Sequence, residues 1–164
     1  MRGGSYHRLR QDKSGWALSL VLLFEKAEAP MGEVLLISIT TSSRKQVVDL
    51  TERISGLIRK AKMSEGLCSL FVTHTTAALT TGEIGEGTEE DFLQVVEQMI
   101  PRIHFRHAHD PSHAWSHMAS SLIGPSLSVP VSGGKLVLGT WQSVMLVELD
   151  GPRERSVHVT LLPS

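Results

Sequence analysis

The chain reads as an α+β domain: mixed, largely antiparallel β-sheets packed with two main helices and a short third helix. Three observations predict this class. Short runs rich in Val, Ile, Leu and Thr recur toward both ends of the chain. Two stretches with apolar residues at helical spacing lie between them. Strands and helices are thus partly segregated, which suits separate sheets and helices better than a doubly wound parallel sheet.

The elements follow in order. Glu33 to Thr40 is β-rich, and Gln46 to Leu50 forms a second strand. Thr51 caps a helix whose apolar residues Ile54, Leu57, Ile58 and Ala61 share one face, and Ser64-Glu65-Gly66 ends it. Leu67 to Val72 is a buried strand that delivers His74 at its end, and the Gly-rich piece Gly82 to Gly87 is a loop. Thr88 opens a second helix with the stripe Phe92, Val95, Val96 and Met99. Asp91 stands where a capping-box acid would reach back, and Pro101 stops the helix. A histidine-rich loop leads into a short helix from about Ser112 to Ile123, closed by Gly124-Pro125. The remainder is β: Ser126 to Val131, Lys135 to Leu138, Ser143 to Leu149 and Ser156 to Leu162. Turns fall at Ser132-Gly133-Gly134 and Asp150-Gly151-Pro152.

A chain of 164 residues, 41% hydrophobic, suffices for one domain with its own core. The formal charge of -1 lacks the basic excess of nucleic-acid binders, so no nucleic-acid partner is expected. With Cys68 as the single cysteine, an intramolecular disulfide and a CxxC metal site are both excluded. Cys68 itself reads as an inert core thiol. Asparagine is absent, while Glu, Lys and Arg are plentiful, a trait of thermophile proteins.

Residues 1–30 differ from residues 31–164, which form the single domain. Arg2, Arg8, Arg10 and Lys13 precede the apolar run Trp16 to Phe24, a pattern that imitates a secretory leader. Glu25, Lys26, Glu28 and Pro30 at its boundary argue against that. The run is also short of the ~20 residues that span a bilayer. The expectation is a cytoplasmic protein without membrane contact. Its N-terminal extension is an extra strand or an over-extended start ahead of Met31.

Chemistry concentrates in the histidines. Five of the eight lie in the run His104, His107, His109, His113 and His117, and a sixth, His74, sits in Val72-Thr73-His74-Thr75-Thr76-Ala77-Ala78-Leu79. On a helix, His113 and His117 at i and i+4 can meet one ion. His107 from the loop and His74 from a strand end are further candidates. Three nitrogens and an open position would make a catalytic zinc centre, whereas a closed set would make a structural one. His104, His109 and His158 read as bystanders. Glu83 can serve as proton shuttle or as partner of a metal-bound ring, although a solvated loop carboxylate looks the same in sequence. Glu148, in an apolar strand, and Asp150 are the other candidate acids, and Trp141-Gln142 can line a pocket or pack the core.

The blocks His74-Thr75-Thr76-Ala77-Ala78-Leu79, Leu138-Gly139-Thr140-Trp141-Gln142 and Glu148-Leu149-Asp150-Gly151-Pro152-Arg153 resemble the signatures of the YjbQ family, also called secondary thiamine-phosphate synthase. Arg106-His107 and His117 to Gly124 add to the match, which runs from about Gly32 to Leu162. The resemblance implies a homotrimer with sites near subunit boundaries. It also implies a divalent metal, zinc above all, with magnesium an option for a diphosphate substrate. His74, His107 and His117 match family histidines and carry the metal expectation, while Glu83 and His74 carry the catalytic one. Thr75, Thr76, Trp141, Gln142, Glu148 and Arg153 are expected to contact a small-molecule substrate. The family usually has asparagine where this chain has Gly82 and His113.

The activity so implied is weak thiamine-phosphate synthesis, in which a pyrimidine diphosphate joins a thiazole phosphate and pyrophosphate leaves. Histidine-held zinc suits water activation or carbonyl polarisation better than expulsion of pyrophosphate, and no Walker-type loop is present. A zinc hydrolase is therefore one rival reading. A non-catalytic trimeric metal- or ligand-binding protein is the other.

Overall fold

The structure, a computed structural model, describes residues 34–101, 103–107 and 110–164. The expected N-terminal extension and His109 lie outside the described residues. Two antiparallel sheets face each other across the main core. The larger has the strand order β1-β8-β3-β5-β6: β1 (Val34–Thr40), β8 (Glu154–Pro163), β3 (Gly66–Val72), β5 (Ser126–Ser132) and β6 (Lys135–Leu136). The smaller has the order β2-β7-β4: β2 (Gln46–Asp49), β7 (Ser143–Glu148) and β4 (Ala77–Gly82).

Side chains of period two on β1, β3 and β8 send Ile37, Ile39, Cys68, Leu70, Val157 and Val159 inward. They pack with Ile54 and Ile58 of α1 (Thr51–Lys60) and with Val144 and Leu146 of β7. Truncating such a fully buried residue costs about 2–5 kcal/mol. Behind the smaller sheet, Ala78 and Val147 meet α2 (Thr88–Met99) and α3 (Ala114–Ile123), whose Val96 and Ala119 complete a second cluster. Strand β7 is thereby covered on both faces, which is why Val144 to Leu149 reads as an apolar run interrupted only by Glu148.

Four expectations are corrected. The stretch Ala77–Gly82, which carries no strand assignment in the sequence reading, is β4, paired along its whole length with β7. Thr51 does not cap α1: its Oγ1 accepts the Val144 N–H, while Asp49 Oδ1 accepts the Thr51 N–H. The inward stripe of α2 is Phe92, Leu93, Val96 and Ile100, because the helix lies on its sheet turned from the expected stripe, leaving Val95 and Met99 exposed. At the start of α2, Gly87 takes a positive φ of 90°, and Glu89, rather than Asp91, reaches back to accept the Gly85 N–H.

Candidate functional site

The end of β4 nearest Thr76 and the start of α3 build the site. Ser120 Oγ on α3 donates to the Ala77 carbonyl at 2.7 Å, and Leu79 N–H donates to the Gly124 carbonyl, pinning the helix to the strand. Asp110 caps the single 3-10 turn Pro111–His113 by accepting the Ser112 N–H, and this turn runs straight into α3. One helical turn then separates His113 from His117, so both rings emerge on one face.

His107, in the loop before, closes a triangle. The three ring centroids stand 5.0, 5.0 and 5.1 Å apart. One ligand nitrogen from each ring lies within 4.8 Å of the other two. His107 Nε2 and His117 Nε2 are 3.3 Å apart, about the spacing of two imidazole nitrogens around a tetrahedral zinc with bonds of ~2.0–2.1 Å. His113 Nε2 is buried and has no hydrogen-bond partner among the described residues. Its other nitrogen, Nδ1, faces Asp150 Oδ2 at 3.4 Å. A carboxylate on one ring nitrogen with the second left bare is the arrangement that orients a metal-binding imidazole. The donor set therefore fits a divalent ion of the zinc type.

Asp150 is itself held. Arg153 donates through Nη2 to Asp150 Oδ2 at 2.8 Å and through Nε to the Asp150 carbonyl at 2.7 Å. Below it, Glu148 and Arg155 form an almost wholly buried pair. Arg155 Nη2 also donates to Thr76 Oγ1, while the Glu148 carboxylate accepts the Thr41 hydroxyl and the N–H groups of Leu149 and Asp150. Burial alone would raise the pKa of Glu148. The hydrogen bonds from Arg155, Asp150 and Thr41 and the Arg155 charge outweigh it and hold the carboxyl below its usual range.

The sequence expectation and this geometry overlap in part. His107 and His117 come together as expected, and His113 joins them. His74 stands outside the trio, because its Nε2 accepts the Ser156 N–H at 2.9 Å. It shares with His113 and His117 a pocket of about 250 Å³ that Thr75, Thr76, Asp150, Arg153 and Arg155 also line. Burial first, then the Arg155 cation, lowers the His74 pKa against an opposing pull from Glu148. Glu148 meets that pocket only through Arg155, since its own oxygens are taken.

Glu83, Trp141 and Gln142 lie elsewhere. Along the β4–β7 ladder, Ala77 pairs with Glu148 and Gly82 with Ser143, so these three residues follow from the far end of both strands. Glu83 is exposed, Trp141 is 75% exposed, and Gln142 accepts the Gly139 N–H. Beside them, a Cβ on Gly82 would meet Met145 Cε at 2.6 Å. Asp150, a candidate acid in the sequence, stands against His113, whereas Arg155 beneath the pocket had not been singled out. The charge of Arg155 beside an apolar strand was the available signal. Cys68 is buried, and burial pushes its thiol up to about 11, in keeping with an inert core residue.

Fold and site together define a small α+β protein with a histidine triangle at one end of its inner sheet. A family model described as UPF0047 protein YjbQ-like matches residues 36–164, and the chain belongs to that family. Similar proteins include a UPF0047 protein of Mycobacterium bovis, 39% identical over 125 residues, covering 74% of this chain and 95% of that protein. A UPF0047 protein of Archaeoglobus fulgidus is 36% identical over 127 residues, covering 77% and 98%. Among solved structures, a YbjQ-like protein of unknown function from Sulfolobus solfataricus superposes with a TM-score of 0.76 at 34% identity, covering 81% of this chain and 98% of that one. A hypothetical protein from Aeropyrum pernix gives 0.75 at 34% identity, covering 80% and 99%. Among the described residues, no helix is long and apolar enough to cross a membrane.

Proposed function

We propose that this protein is a metal-dependent enzyme acting on a small acidic substrate, with zinc held by His107, His113 and His117. The observation that supports this is the buried, unpartnered Nε2 of His113 beside two further imidazoles, with Asp150 on its other nitrogen. Zinc bound there would supply Lewis acidity and a water of lowered pKa. Asp150 keeps the His113 proton on Nδ1, leaving Nε2 as a lone-pair donor. Arg153 fixes Asp150 and offers the pocket a positive rim. Arg155 and Thr76 form a rigid floor, and His74, its proton placed on Nδ1 by the Ser156 contact, presents a donor. Weak thiamine-phosphate synthesis, carried over from the family resemblance, is one reaction of this site and not its main one.

The protein acts as a homotrimer in this reading, in which a neighbouring copy brings Glu83, Trp141 and Gln142 against the histidine triangle. Within one copy these three residues follow from the far end of the β4–β7 ladder, so in this reading they meet the triangle only across a subunit boundary.

The test is elemental analysis and zinc titration of the wild type and of His113→Asn, alongside light scattering for assembly. About one zinc per chain, lost in the variant, is expected. Wild-type protein that binds no divalent ion would sink the reading.

A further inference from the structure

Three arginines stand near the histidine triangle, and the structure uses them differently. Arg153 is exposed and committed to Asp150 through both Nε and Nη2. Arg44, also exposed, reaches Asp150 only at 4.0 Å. Arg155 is the buried one, 3% exposed, and it lines the pocket of His74, His113 and His117. Its guanidinium carries five N–H donors in one plane. Nε and Nη2 donate to the two oxygens of Glu148, and Nη2 also donates to Thr76 Oγ1 at 2.9 Å. The two donors of Nη1 have no acceptor among the described residues, yet this nitrogen, unlike His113 Nε2 and Trp115 Nε1, is not sealed off. Because the rest of the residue is enclosed, Nη1 is the polar end that Arg155 offers the pocket.

Thr76 completes the pattern. Its oxygen receives the Arg155 hydrogen bond, and its own hydrogen has no acceptor among the described residues. The carboxylates nearby offer none: both Glu148 oxygens are taken, and Asp150 Oδ2 already faces His113 and Arg153. The floor of the pocket therefore presents donors without acceptors. At about 250 Å³ the pocket falls below the usual range for a whole drug-sized ligand and suits one head group. Hydrogen bonds from a guanidinium to an anionic oxygen are about twice as strong as neutral ones.

We infer that Arg155 and Thr76 are the residues that select the ligand's anionic head group, with Nη1 and the Thr76 hydroxyl donating to its charged oxygen. Arg153 and Arg44 stay at the rim. Glu148 is a positioning residue here: its two-oxygen grip fixes the plane of the guanidinium and leaves Nη1 over for the ligand. The inference rests on the proposed enzyme for the use of the pocket and adds which residues recognise its acidic substrate.

The experiment is calorimetric titration of the zinc-loaded full chain with inorganic phosphate and with acetate. At least one is expected to bind saturably, and the tighter of the two identifies the head group as phosphate or carboxylate. Thr76→Val keeps the shape but removes the hydroxyl, and is expected to weaken that anion about tenfold. Thr76→Ser, which keeps the hydroxyl, is expected to bind like the wild type. Arg155→Lys leaves a cation for Glu148 without the planar fork, and a loss of about tenfold or more is expected. Zinc content is expected to stay unchanged in all three. Zinc retention with no saturable binding of either anion would overturn the inference and leave the metal reading standing. So would a Thr76→Val or Arg155→Lys protein that binds like the wild type. Equal weakening by Thr76→Val and Thr76→Ser would also overturn it, since packing rather than the hydroxyl would then be responsible. If Arg155→Lys shows no cooperative thermal melt, the two Thr76 variants decide. If the chain takes up no zinc, the metal reading fails, and the same titrations of metal-free protein decide the role of Arg155 and Thr76.

Discussion

The two ends of the β4–β7 ladder are built in opposite ways. At the Ala77–Glu148 end, charged and polar groups are interlocked: Glu148 with Arg155, Arg155 with Thr76, Arg153 with Asp150, and Asp150 with His113. At the Gly82–Ser143 end, Glu83 and Trp141 project into solvent, and Gln142 bonds mainly to its own turn. Preorganisation of a site needs residues whose positions are fixed by further contacts. Only the first end has that property within one chain, so chemistry that needs fixed geometry belongs there. Residues of the second end can contribute only if something outside the chain holds them.

The contrast can be broken experimentally, and the largest effect is expected at the buried pair. Arg155→Ala leaves the Glu148 carboxylate buried without its cation, and should cost about 3–5 kcal/mol in urea unfolding. A loss under 1 kcal/mol would mean that water reaches the pair. Next, His117→Ala should lower zinc affinity more than 100-fold, whereas Glu83→Gln should leave it unchanged, both by competition with a chelating dye. Asp150→Asn keeps shape but removes the charge facing His113, and a loss of about 10–100-fold in zinc affinity is expected.

A smaller effect is expected from pH. The folded pKa of Glu148 is depressed, so its stabilisation is fully present above the unfolded glutamate value of about 4.3 and lost as pH falls through the lower folded value. Melting temperatures measured downward from pH 5 should fall more steeply for the wild type than for Glu148→Gln. Parallel curves would show that another acid carries the loss. Smallest of all, Trp141→Ala should change stability by less than about 0.5 kcal/mol, as befits a side chain 75% exposed.

Much of the fold was legible because local pattern and burial agree. The period-two strands and the Ile54–Ile58 face of α1 were read close to where they stand. Strand β4 escaped because Ala77-Ala78-Leu79 lacks both alternation and β-branched residues, being buried on both faces. The turned stripe of α2 is a tertiary choice: Leu93 and Ile100 offer an equally apolar face, and packing against Ala78 and Val147 selects it. In the site, the i, i+4 pair was readable from spacing alone. The position of His74 was not, because its hydrogen-bond partner Ser156 lies 82 residues away. Asp150 likewise meets His113 across 37 residues. Contacts of that separation are set by topology.

Gly82 makes one more point. In this chain the Met145 methyl sits where the first carbon of any side chain would go. The two positions are therefore coupled, since a side chain at residue 82 and the extended methionine at residue 145 compete for one space. The change Gly82→Asn by itself forces the thioether out of its berth. Pairing it with a shortened residue 145 removes the obstruction, so the effects of the two changes are expected to be non-additive.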